Sequence, residues 1–262
     1  MAPPQPAPLL PHGVTIDWCE DNYAVQTWVA EFWNTWTSVL CAAVFLVWLC
    51  QPSPPAAGAL PWLHLLFFCI FAGSAAFHGT LTWAGQLLDE VPIMAFVGFS
   101  LAVCVDNLSL QSGFKRSWWG LGPRVLAAAC VIETAALTIL YTLHTKAYSV
   151  FLTGVVVQAI LHWPLIIYFI WRRTQWDRAA LGMLAMHVGI GYSGAGLWLL
   201  DSTFCSQLKA LNLHAVWHIT STLALKPWVD LLVYCRLRAA GEEPHYRMRA
   251  WGLGPSFHVS AA

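Results

Sequence analysis

The chain has 262 residues, of which 58% are hydrophobic and only 10% charged, and its formal net charge is zero. A soluble domain carries about 25% charged residues. The composition therefore excludes an ordinary soluble globular protein and points to an integral membrane protein. The neutral balance gives no reason to expect a nucleic-acid partner.

The opening stretch, MAPPQPAPLLPHG, is Pro-rich and reads as a flexible tail. It shows no basic start followed by an apolar core, so no cleaved signal peptide is expected. The next stretch, DWCEDNYAVQTWVAEFWNT, gathers Asp17, Glu20, Asp21, Asn22 and Glu31 with no Lys or Arg among them. Hard oxygens in that density suit calcium, although the spacing is not that of an EF-hand. On the residues alone a solvated acidic loop, with Glu31 capping the first helix, is slightly the better reading.

A membrane span needs about 20 apolar residues. Candidates fall at roughly 30–50, 60–82, 87–106, 123–143, 148–170, 180–200 and 210–235. The connections are short, and QPSPPAAGA is Pro-rich punctuation after the first helix. The chain is thus expected to be all-α, one integral membrane bundle of seven transmembrane helices.

Ten of the thirteen basic residues would lie on one side: Lys115, Arg116, Arg124, Arg172, Arg173, Arg178, Arg236, Arg238, Arg247 and Arg249. Lys146 and Lys209 lie on the other, and Lys226 within the last helix. The basic side is cytosolic, so the C-terminus is cytosolic and the N-terminus lumenal or extracellular. The expected division is a lumenal N-terminal segment over 1–29, the helical catalytic domain over 30–238 and a cytosolic tail over 239–262.

Eight Cys are scattered without a CxxC. Six lie in or beside apolar runs and read as small buried hydrophobes. Cys19 and Cys205 fall on the lumenal side, where a disulfide can persist. They either pair with each other or stay as two free thiols.

Ionisable groups at membrane depth are costly and usually functional. His214 and His218, in NLHAVWHIT, are four apart and share a helix face. His78 ends the second helix in the same leaflet. Three imidazoles with one open position make a catalytic zinc site. Asp89 follows His78 by eleven residues across a tight turn and could take a proton from water. Ser74 lies one turn before His78 and could hydrogen-bond the reacting group. The alternative is that each His only bonds a neighbouring helix, and His64, His162 and His187 read that way. Lys226 and Asp230, four apart, read as a structural pair. Asp106 and Asp201 are further intramembrane charges, and Glu133 has no evident partner.

DWCEDNY, AEFWNT, FHGTL…GQLLDE and LHAVWH, in this order, resemble the alkaline ceramidase family, over about residues 16–235. YRMRAWGLGPSFHV is loosely similar to its C-terminal segment. The wider superfamily includes adiponectin- and progestin-receptor-like membrane proteins. The resemblance implies an intramembrane amidase that cleaves ceramide to sphingosine and a fatty acid, calcium-stimulated and with an alkaline optimum. It implies zinc on His78, His214 and His218, with Asp89 binding or activating the water and Ser74 stabilising the intermediate. It implies calcium on Asp17, the Trp18 carbonyl, Glu20, Asn22 and Glu31, reversing the preference for a solvated loop, and a Cys19–Cys205 disulfide. Its substrate would come from the bilayer, and endoplasmic reticulum or Golgi membrane is the expected location. Gly79 departs from relatives with a larger residue there, which is expected to alter pocket width. The rivals are a seven-helix zinc-containing lipid receptor with weak or no hydrolase activity and a His/Asp proton-relay transporter. The acidic segment counts against the receptor. The one-sided cluster and the lack of an inverted repeat count against the transporter.

Overall fold

The computed structural model of the chain describes residues 13–58, 60–109, 123–145, 148–250 and 255–260. The Pro-rich opening to residue 12, together with Lys115, Arg116 and Lys146 of the charge pattern and the side chain of Asp106, lies outside what is described.

The helices run α1 (Phe32–Leu49), α2 (Trp62–Thr80), α3 (Trp83–Ser109), α4 (Pro123–Ile139), α5 (Tyr148–Thr174), α6 (Arg178–Thr203), the short α7 (Cys205–Leu208) and α8 (Leu213–Ala239). The end of α4 widens into a π turn over Leu140–Thr145. Among the described residues, five stretches are long and apolar enough to cross a membrane: Phe32–Leu49, Trp62–Thr80, Trp83–Ala102, Tyr148–Thr174 and Arg178–Thr203. α4 contributes a shorter apolar run, Ala128–Leu143. The helices form because a chain in lipid must satisfy every backbone N–H and C=O internally. The same setting tolerates Pro92, Pro164 and Pro227 inside α3, α5 and α8. Large apolar residues such as Leu143, Ile160 and Tyr192 stand exposed on the outside, the surface that lipid covers.

Beyond α8 the chain departs from the helical reading. Residues His245–Ala250 (β1) and Pro255–Ser260 (β2) pair antiparallel, His245 opposite Ser260 and Ala250 opposite Pro255. A Gly-Pro pair between two short stretches of mixed polar and apolar residues favours a turn over a continuing helix.

α1, α2, α3 and α8 enclose the core around Phe45, Phe67, Phe71 and Trp228. α2 and α3 form the tight hairpin that positions the polar groups. Leu81 ends α2 in the left-handed region at φ 46°, and its N–H bonds Phe77 O at 2.7 Å. Two glycines then let the backbones touch. A Cβ on Gly73 would lie 2.1 Å from Leu88 O, and one on Gly85 2.8 Å from the Phe77 Cα. This contact fixes where Asp89 falls against Ser74.

Several ionisable groups find partners. Lys226 pairs with Asp230 along α8 as the spacing suggests. Glu133, expected to be unpaired, meets His162 Nε2 of α5 at 3.3 Å; the pair joins two helices and is invisible to spacing within one. His187 Nδ1 lies 2.9 Å from Ala224 O. His64 differs from expectation: among the described residues neither ring nitrogen has a hydrogen-bond partner, and the ring packs near Phe45 and Trp48. Cys41, Cys130 and Cys235 are buried, but Cys50, which caps the end of α1, and Cys69 of α2 are exposed.

Candidate metal centre

α2, α3, α8 and the N-terminal segment converge at one end of the bundle. The ligand nitrogens of His78, His214 and His218 all lie within 4.8 Å of one another, and all three residues are buried. Their ring centroids are 5.1, 5.1 and 4.8 Å apart. The four-residue spacing in α8 puts two of them on one face. The end of α2 brings the third.

Two of the imidazoles have a ring nitrogen held by a partner, whereas His214 is held through its backbone, its Nδ1 buried with no partner among the described residues. His78 Nδ1 bonds the carboxylate of Glu31, which is fully buried at the start of α1. That leaves His78 Nε2 buried with no partner among the described residues. His218 Nδ1 faces Thr37 Oγ1 at 3.0 Å and Ser38 Oγ at 3.1 Å, both from α1. Buried Asp201 of α6 accepts the backbone N–H of His214 at 3.3 Å, capping α8 where its first ligand sits. The Trp18 ring stacks on His214 with centroids 4.0 Å apart. Partners of this kind set the tautomer and aim of a metal-binding His. Nitrogen lone pairs that converge in a buried place with no donor to meet them fit a cation held by three imidazoles.

Ser38 Oγ also donates to Ser74 Oγ at 3.1 Å, and Ser74 is hydrogen-bonded to the Asp89 carboxyl. A line of polar contacts therefore runs from His218 through Ser38 and Ser74 to Asp89. Ser74, Asp89, His214 and His218 line a cavity of about 290 Å³ whose other walls are mostly aromatic and aliphatic. Gly79 is not among the lining residues. Its Cβ position faces Thr35 of α1 at 3.6 Å, and its carbonyl accepts the Ala30 N–H at 3.1 Å. The expectation that it sets the pocket width is overturned, because residue 79 points at α1.

The acidic segment lies against this centre through Glu31, whose carboxylate also accepts Trp18 N at 3.2 Å and Asn34 Nδ2 at 2.9 Å. Asp17 shares a hydrogen bond with Glu31 and accepts Asn22 Nδ2 at 3.1 Å, while Asn22 Oδ1 is buried with no partner among the described residues. Burial, more than any other cause, raises the Asp17 carboxyl above its usual range and pushes Glu31 up to about 7. Glu20 is drawn aside, since both its oxygens accept N–H groups of α1, Trp33 at 2.7 Å and Asn34 at 2.9 Å. The capping role considered for Glu31 thus falls to Glu20. Asp21 pairs with Lys209 at the rim. A Cys19–Cys205 disulfide, Cα atoms 5.3 Å apart, ties the segment to α7.

The sequence gives no sign of Ser38 and Thr37 and marks Asp201 only as an intramembrane charge without a role, because all three act across helices and leave no spacing signal.

A ceramidase family model matches residues 11–258. The chain belongs to the ceramidase family. With that it is a hydrolase acting on ceramide amide bonds. It is 26% identical over 245 residues to alkaline ceramidase 3 of Mus musculus, covering 85% of this chain and 84% of the relative. It is 24% identical to alkaline ceramidase 1 of Homo sapiens over 78% and 76% of the two chains. It is 26% identical to alkaline ceramidase YPC1 of Saccharomyces cerevisiae over 85% and 77%.

Proposed function

We propose that the protein is a zinc-dependent intramembrane amidase that hydrolyses ceramide to sphingosine and a free fatty acid, with calcium stimulating it and an alkaline optimum. The observation that carries the reading is the buried cluster of His78, His214 and His218 opening beside Asp89 on a mostly apolar cavity.

His78, His214 and His218 would hold the zinc, each with its second nitrogen or backbone fixed by Glu31, Ser38 with Thr37, or Asp201. When bound there, the ion supplies a Lewis acid that polarises a carbonyl and acidifies water near neutral pH. Asp89 takes a proton from the attacking water onto its carboxylate. It later delivers that proton to the nitrogen of the departing sphingosine. Ser74 donates its one hydroxyl proton to the Asp89 carboxylate and, once Asp89 has taken the proton from water, would turn that donor to the oxygen that gains charge. The apolar walls exclude water and accept an alkyl chain.

Asp17, the Trp18 carbonyl, Glu20, Asn22 and Glu31 are the proposed calcium ligands. The unpartnered Asn22 Oδ1 and the hydrogen bond that Asp17 and Glu31 share support this. A divalent cation can replace the proton that such a bond requires. Because Glu31 also holds His78, the ion's role is to order the N-terminal segment around the centre. Glu20, committed to capping α1, would bind only by turning from one of its N–H partners.

Seven spans are proposed, α4 and α8 completing the set, with the N-terminal segment (1–29) lumenal and the tail (239–262) cytosolic around the 30–238 catalytic domain. The disulfide lies at the end that carries the centre, whereas Arg172, Arg173, Arg236 and Arg238 lie in the last turns of α5 and α8, in keeping with the preference of basic residues for the cytosolic side. An endoplasmic reticulum or Golgi membrane suits this orientation.

The test is hydrolysis of a ceramide panel by purified protein at alkaline pH, with and without calcium, beside metal analysis. Stoichiometric zinc with calcium-enhanced release of fatty acid is expected, and Asp89→Asn should keep the zinc and lose most turnover. Zinc without release from any ceramide would instead favour a receptor of the same architecture.

A further inference from the structure

Glu90 follows Asp89 in α3 and lines the same cavity, yet the chemistry above leaves it without a task. It is only 3% exposed. Its two carboxyl oxygens stand in different surroundings. Oε1 accepts Gln86 Nε2 at 3.0 Å. Gln86 is itself clamped, donating to Thr15 Oγ1 at 2.6 Å and Tyr141 Oη at 2.8 Å while its carbonyl accepts Thr15 N at 2.9 Å. Three parts of the chain, the N-terminal segment, α3 and the π turn, thus fix one side of Glu90. Oε2 is buried and has no partner among the described residues. Buried polar side-chain atoms are rarely left so. A carboxyl held through one oxygen, its other oxygen unmet, on a residue that lines a mostly apolar cavity, is suited to receive a polar group of whatever fills that cavity.

We propose that Glu90 is a substrate-binding residue whose Oε2 hydrogen-bonds a hydroxyl of the amine half of the substrate, next to the amide that is cut. The inference rests on the ceramide reading and specifies what is recognised within it. In a ceramide the amide nitrogen sits on a carbon flanked by two hydroxyl-bearing carbons. Asp89 has to reach that nitrogen to deliver its proton. Asp89 and Glu90 both line this cavity, so one substrate bound in it can meet both carboxyls. The enzyme is then selective for N-acyl amino alcohols, and an N-acyl amine without the matching hydroxyl leaves the Glu90 oxygen unmet. A site built around a substrate hydroxyl rejects the analogue that lacks it far more strongly than an apolar pocket rejects a missing methylene.

The experiment compares kcat/KM of the wild type and Glu90→Gln on one ceramide and on its 1-deoxy and 3-deoxy analogues of equal acyl length. In Glu90→Gln the amide carbonyl takes the place of Oε1, because an NH2 there would face the Gln86 NH2, another donor, and the amide NH2 replaces Oε2. The wild type should prefer the ceramide to one of the two analogues by about tenfold or more, as loss of a hydrogen bond to a carboxylate implies. Glu90→Gln should lose most of that ratio, through a fall on ceramide with little change on the analogue. The analogue rate measured on the same preparation is the control for folding. An equal fall on both substrates, or a wild type indifferent to both hydroxyls, overturns the assignment while leaving the amidase reading intact. A wild type that cleaves no ceramide overturns the reading on which the proposal rests.

Discussion

Replacing Glu31 separates its bond to His78 from its place in the acidic segment. Its carboxylate accepts three donors: Trp18 N on Oε1, and Asn34 Nδ2 and His78 Nδ1 on Oε2. In Glu31→Gln the amide keeps one accepting oxygen. The cheaper orientation leaves that oxygen on the side with two donors and turns the NH2 towards Trp18 N. The His78 tautomer then survives, but a charge-assisted bond becomes a neutral one of roughly half the strength. Glu31→Ala removes the bond altogether. Loss of such a partner weakens metal binding by about 10–100-fold, which is roughly 1.4–2.7 kcal/mol. Zinc affinity should therefore fall about tenfold in Glu31→Gln and nearer a hundredfold in Glu31→Ala. Asp17→Asn, which touches the acidic segment and not His78, should leave it within about threefold. Competitive titration of the purified protein with a chromogenic zinc chelator reads all three. Unchanged affinity in Glu31→Ala would refute the orienting role and leave Glu31 to the acidic segment alone.

Ser38→Ala removes one of two hydroxyls facing His218 Nδ1. The same titration should show less than a tenfold loss, and a larger one when Thr37→Val is added. Gly73→Ala places a Cβ 2.1 Å from the Leu88 carbonyl, a backbone atom that cannot swing aside; it should cost about 3 kcal/mol and lower the melting temperature in detergent. A shift of only ~1 Å between α2 and α3 should also cut turnover about a hundredfold; wild-type stability and turnover would contradict the contact. Cys205→Ser frees the acidic segment from α7 at an expected loss of about 2–4 kcal/mol, read as a lower melting temperature and as faster proteolysis between residues 13 and 30.

Helix positions are legible because lipid demands length and apolarity at once, and few other signals in a sequence are so constrained. α1 begins two residues after the expected start, and α2 lies within the expected 60–82 window. α3, α5 and α6 overrun their windows by three or four residues, since polar residues at the membrane surface continue a helix without adding to its apolar signal. Among the site residues, His214 and His218 are legible because helical spacing is local, and His78 with Asp89 because only a short turn separates them. The carboxylate on His78 is a different case. Glu31 is visible as a possible oxygen ligand, but its bond to an imidazole depends on α1 packing beside α2, which no local pattern encodes. Ser38 and the role of Asp201 are hidden for the same reason, and Glu133 looked unpaired because its partner lies on another helix.

The order of the polar groups along the chain then has a physical consequence. The histidine cluster draws its residues from α2 and α8, but what holds them comes from α1, α6 and the N-terminal segment. The segment is pinned by the disulfide to α7, by Glu20 to the start of α1, by Thr15 to Gln86 and by Asp21 to Lys209. Trp18 lies between these pins, with its ring on His214 and its N–H on Glu31. A displacement of the segment therefore disturbs two of the three imidazoles at once, one through stacking and one through a hydrogen bond. Cation binding in the acidic segment can then alter the metal centre without touching the substrate, because the side chains that order the segment also hold the ligands.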